Sequence, residues 1–162
     1  ICQAGDGLRH ADGLKAIVSN DLFVPLLQGD KPLTLAKAGQ ADGLLKQFRR
    51  IKQNSDITWN DLTAAATAGK KKATQTMSIA AAAYASTIIN SAILSQADHW
   101  ILTGTILAEL PGLVAETEKQ MTALLKKSST DLRRLDVTEN TDQLIWQGAA
   151  ARLLEEQLSL LD

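Results

Sequence analysis

"GKKKATQTMSIAAAAYASTIINSAIL", residues 69–94, sets three lysines against a run of small and apolar residues. It can be read as a membrane or targeting segment, as a nucleic-acid patch, or as a closely packed helix. A membrane span needs about 20 mainly apolar residues, and Thr74, Gln75, Thr76, Ser78, Ser86, Thr87, Asn90 and Ser91 interrupt this run. A signal peptide would not lie so far into the chain. On a helix Lys70, Lys71 and Lys72 spread over about 200° of surface, so they cannot line one phosphate row. With no aromatic residue among them they read as a solvated face. What remains is a helix with two apolar faces, one carrying Met77, Ala80, Tyr84 and Ile88, the other Ile79, Ala83 and Ile93. Alanine and serine let neighbouring axes approach at the close end of the usual range of about 8–10 Å. The stretch predicts the central helix of a bundle, flanked on several sides.

The same spacing extends outward. Thr58 and Asp61 form a capping-box pattern that starts a helix. Small or apolar residues then fall at 62, 66, 69, 73, 77, 80, 84 and 88. The pattern continues through Ile93, Ala97 and Ile101 towards Leu110, with "TGT" (103–105) and "PG" (111–112) as weak points. Unbroken, that helix would be roughly 75 Å long. Upstream, Leu8, Ala11, Leu14, Ile17 and Val18 predict a first helix to about Asn20. Phe23, Val24, Leu26 and Leu27 cluster around Pro25, and "QGDKP" is a turn or helix start. Leu35, Ala38, Ala41, Leu44, Leu45 and Phe48 form a second stripe that closes on the basic turn "RRIK", where cations complement the helix dipole. Downstream, a helix is expected from Leu113 to about Leu135. Asn140 and Gln143 then resemble a cap for a last helix through Leu161. No alternating strand pattern and no glycine-rich phosphate loop is evident. "ADGL" recurs at 11–14 and 41–44, but its flanks differ and no repeat period follows.

Composition agrees with helices. The chain has 162 residues, enough for one domain with its own core. With aromatics at only 4%, that core must be built from thin, close-packed elements. A formal charge of −1 argues against nucleic acid as the main partner. Cys2 is the only cysteine, so no internal disulfide is possible and the fold rests on packing. The chain opens on Ile1 rather than Met, which suggests a processed start, although no Asn-x-Ser/Thr sequon is present.

Chemistry is less legible. His10 near Cys2, Asp6 and Asp12 lacks metal-ligand spacing with a second cluster. Asp98 and His99 beside Trp100 are sequence neighbours that point to different helix faces, so they form no local dyad. Glu116, Glu118, Glu155 and Glu156 lack the histidine partners of di-iron bundles. No Gly-x-Ser-x-Gly elbow occurs. No residue is therefore assigned as catalytic, cofactor-binding or metal-ligating. Trp59, Trp100 and Trp146 read as gap-fillers at bundle ends in a core of small side chains, each with its indole N–H bonded nearby; exposed, they would make interface anchors.

"ICQAGDGLRHADGLKAIV" (1–18), a cysteine ahead of an amphipathic helix, and the alanine- and threonine-rich segment 63–97 resemble the helical surface proteins of trypanosomes, including variant surface glycoprotein N-terminal domains and their invariant relatives. That resemblance implies an elongated bundle on a cell surface, a lipid anchor beyond the domain, a coat or host-interaction role and no catalytic residues. The chain departs from the family in its single cysteine and missing sequon. The expected fold is all-α: an antiparallel bundle with three long arms at 5–53, 57–110 and 113–161, or a compact four- or five-helix bundle. The expected function is that of a non-enzymatic surface or secreted protein with a protein partner, no cofactor and no nucleic acid. The alternative is an intracellular or secretion-associated assembly protein that packs against partner helices.

Overall fold

A computed structural model of the chain describes residues 2–3, 7–9, 16–17, 23–28, 31–95, 99–126 and 134–138. Helix dominates these residues. Six helices form, α1 (Leu35–Gly39), α2 (Ala41–Lys52), α3 (Trp59–Thr67), α4 (Lys71–Ser95), α5 (Thr105–Glu109) and α6 (Pro111–Leu125). Seven short strands accompany them: β1 (Cys2–Gln3), β2 (Gly7–Arg9), β3 (Ala16–Ile17), β4 (Phe23–Gln28), β5 (Lys31–Thr34), β6 (His99–Thr103) and β7 (Arg134–Thr138).

The central position of α4 is as the sequence predicts. Helices α1, α2, α3 and α6 all pack against it. Met77, Ala80, Ala81, Ala83, Tyr84, Ala85, Ile88 and Ile89 are buried, so the helix is enclosed on most of its circumference. By length and mean hydropathy (1.2) α4 reaches the range of a membrane span, yet 61% of that window is buried inside the protein, as befits a core helix. One expected core position is corrected. Ile93 is 50% exposed, because it shares the outward stripe of Ala82, Ser86 and Asn90.

Two junctions explain where the helices stop. After α3, Gly69 adopts φ +61°. Its N–H bonds Ala66 O at 2.9 Å and that of Lys70 bonds Ala65 O at 2.9 Å, the paired closure of a Schellman motif. This breaks the long helix expected from residue 59 into α3 and α4. After α2, Gln53 takes the left-handed conformation at φ 57°. The N–H of Gln53 reaches Arg50 O at 3.2 Å and that of Asn54 reaches Arg49 O at 3.1 Å, the same closure without a glycine.

The described residues are mostly helical, as expected, but short strands stand at several positions where helix was expected. The helix expected to run through Ile101 gives way to β6, whose sequence "HWILT" is rich in aromatic and β-branched side chains. β6 pairs in parallel with β7, so the helix expected to reach Leu135 ends instead with α6 at Leu125. β1 pairs in parallel with the other edge of β6, and β2 and β3 extend that sheet antiparallel, giving the order β3-β2-β1-β6-β7. β2 and β3 replace the first helix expected from Leu8; the glycines around them weaken any helix there. The apolar cluster around Pro25 is a strand, and β4 and β5 form a hairpin whose register shifts between Val24 and Leu27, where Pro25 cannot donate to the ladder. Among the described residues the arms expected at 5–53 and 57–110 are broken into shorter elements, and most of the third, 113–161, lies outside the described residues. The last helix expected after Asn140, Trp146 and the first "ADGL" copy lie outside the described residues.

Two buried clusters line α4. The larger joins Leu35, Leu44, Phe48, Leu62, Met77, Tyr84, Leu102, Leu107, Leu110 and Leu113. The smaller joins Ile88, Ile89, Trp100 and Met121.

Candidate functional site

The end of α2, the turn at 53–58 and the start of α3 enclose a cleft of about 420 Å³ lined by Phe48, Lys52, Asn54, Asp56, Ile57, Asp61 and Ala65. Each wall follows from local chemistry. Thr58 caps α3: its Oγ accepts from Asp61 N–H at 3.4 Å, while Asp61 Oδ2 accepts from Thr58 N–H at 2.8 Å and from the Thr58 hydroxyl at 2.7 Å. This is the capping box expected from the sequence. In the turn, Asn54 Oδ1 accepts from Asp56 N–H at 2.9 Å and Asp56 Oδ1 accepts from the Ser55 hydroxyl at 3.2 Å. Arg49, half-buried, ties the far side of the turn back to α2 by donating from Nε to Ile57 O at 2.7 Å.

The floor is apolar. Phe48 is 1% exposed, and the ammonium of Lys52 stands 5.8 Å from its ring centroid, within cation–π range. At the rim, the backbone N–H and hydroxyl of Thr58 hold the Asp61 carboxyl below its ordinary range against the opposing effect of burial, with the nearby charge of Lys52 adding to the lowering. Asp61 thus stays ionised through the neutral range. Its bonds to Thr58 use Oδ2, and Ser55 uses Oδ1 of Asp56. Among the described residues, Asp61 Oδ1 and Asp56 Oδ2 accept no hydrogen bond.

Two other carboxylates tie helices together. Glu116 on α6 accepts from Ser78 of α4 at 3.2 Å, from Gln120 at 3.0 Å and from Lys119 at 3.2 Å. Burial pushes its carboxyl up, but those three donors outweigh burial and hold it below the usual value. Glu109 at the end of α5 accepts the indole N–H of Trp59, which is half-buried at the start of α3. Trp100 is buried on β6 rather than at a bundle end.

Lys70, Lys71 and Lys72 are all exposed around the α3–α4 junction. Cys2 and His99 fall in strands, while Asp6, His10, Asp12, Asp98, Glu155 and Glu156 lie outside the described residues. Among the described residues, no group of three His, Cys, Asp or Glu side chains is placed to hold a metal ion. Sequence reasoning missed the cleft. Its flanks were visible as the basic end of α2 and the capping box, but nothing in their spacing announced that Phe48 would floor the gap between them. Comparison with family models, with characterised proteins and with solved structures found no match to this chain.

Proposed function

We propose that the chain is a non-enzymatic, mainly helical binding domain, displayed at a cell surface or secreted, in a coat or host-interaction role. The observation that carries the binding role is the cleft between α2 and α3, where the backbone N–H and hydroxyl of Thr58 fix the Asp61 carboxylate and keep it ionised. A carboxylate held in that way is suited to charge recognition and poorly suited to exchanging protons near neutral pH. The surface placement rests on the resemblance to trypanosome surface proteins, with an elongated antiparallel bundle and a lipid anchor outside this domain. A second reading, an intracellular or secretion-associated protein that packs against partner helices, draws on the half-exposed Ile93 of α4.

Labelling of intact source cells with a membrane-impermeant amine reagent tests the placement. Modification of the exposed Lys70–Lys72 before lysis is the expected result. Protection until lysis would overturn surface display and favour the second reading.

A further inference from the structure

We propose that the cleft receives a lysine or arginine side chain of a partner protein, and that Lys52 occupies the receiving position until the partner displaces it. The inference rests on the binding role proposed above and names the partner's chemistry. Lys52 provides an internal example of the complex: its ammonium sits over the Phe48 ring, in a cleft whose other charged walls are Asp56 and Asp61. The lining carries one cation and two anions, so it becomes more negative when Lys52 swings out. Two carboxylate oxygens, Asp61 Oδ1 and Asp56 Oδ2, are left for an incoming donor among the described residues, because the cap and the turn use the other two. A guanidinium or ammonium matches this pairing of an aromatic face with carboxylates. An anion would face both carboxylates. A metal ion would find only two acidic side chains in the lining, and Asn54 Oδ1 is already committed to Asp56 N–H.

Partner chemistry favours a side chain over a whole small molecule. The cleft sets the Phe48 ring beside the Asp56 and Asp61 carboxylates, an apolar face next to negative charge. It can take the methylenes and head group of one long basic residue. The position of Lys52 makes it an internal competitor, so the apparent affinity is set by how easily it leaves.

The test is an NMR titration of the full chain with a capped Gly-Arg-Gly peptide, its citrulline counterpart and methylguanidinium. The arginine peptide should shift the amides of Asn54, Asp56, Ile57 and Asp61 saturably, and citrulline should not. Lys52→Ala removes both the charge and the methylenes that occupy the receiving position over Phe48. It should tighten binding by about two- to fivefold, the range expected for one exposed cation–π contact. Asp56→Asn, which leaves the α3 cap untouched, should weaken binding. No saturable shift, equal shifts from citrulline, or unchanged affinity in Lys52→Ala would overturn the proposal. Methylguanidinium binding as tightly as the peptide would overturn the assignment to a protein side chain. The result is separable from the placement test: a surface-labelled protein that ignores the peptide loses only this inference, and a labelling failure with arginine binding intact loses only the surface reading.

Discussion

Gly39, at the end of α1, is the position where adding one methyl group should do most damage. A Cβ built there lies 2.9 Å from Tyr84 Cζ and 3.0 Å from its hydroxyl oxygen, and closer still to Cε1. The Tyr84 ring is 3% exposed and belongs to the same buried cluster as Leu35, Ala38 and Leu44, so it has no free volume to enter. Its hydroxyl also donates to Gly39 O, so moving the ring breaks a buried hydrogen bond. Overpacking of this kind costs about 1–3 kcal/mol, and a stranded buried polar group about 1–3 kcal/mol more. The better helix propensity of alanine returns roughly 0.5–1 kcal/mol. Gly39→Ala should therefore destabilise by about 1–5 kcal/mol, a large share of a typical domain's stability. Urea unfolding followed by far-UV circular dichroism reads the loss. In a Tyr84→Leu background the same substitution should cost far less, since the ring it strikes and the hydroxyl it displaces are gone. Equal cost in both backgrounds, or no cost in either, would refute the reasoning.

Other substitutions probe separate parts of the account. Ala80→Leu or Ala83→Leu, both at fully buried positions of α4, should each lower stability by about 1–3 kcal/mol in chemical denaturation. Lys71→Ala, on the exposed face, should leave the midpoint nearly unchanged. Gln53→Gly relieves a side chain held at φ 57° and should stabilise by up to about 1 kcal/mol, read as a rise in Tm with the same far-UV spectrum. Thr58→Ala removes the α3 cap and should cost about 0.5–2 kcal/mol. Asp61→Asn gives the pH test. The Asp61 carboxyl is held lower in the folded protein than in the unfolded chain, so its stabilisation is present above the unfolded value and lost as pH falls through the folded one. The gap in unfolding midpoint between wild type and Asp61→Asn should hold at neutral pH and close below the ordinary value of 3.8; a gap that widened in acid would contradict the assignment.

The helices were legible where periodicity and caps agreed. The stripe from Leu62 through Ile88 lands on buried or half-buried positions except at Gly69, and the Thr58–Asp61 cap stands where the pattern put it. Gly69 fits the stripe as one more small residue, yet its left-handed conformation ends α3. The strands were hard to see because they are short and paired with distant segments. β6 spans five residues, its Ile101 fits an i, i+4 stripe that continues α4, and its partner β7 follows more than thirty residues later. Such pairing lies in tertiary contacts that no local period encodes. The cleft was hidden for a similar reason: Phe48 reads as an ordinary core residue until the turn at 53–58 folds over beside it and Lys52 covers its ring.

The most direct test of the central claim, that residues 69–94 hold the buried core helix of the domain, is native-state hydrogen exchange. Amides from Ala80 to Ile89 should be the slowest to exchange, opening only at a free energy close to that of global unfolding. Exchange of those amides as fast as in the exposed turn at Gln53–Asp56 would show that α4 is not the core, and the account built on it would fall.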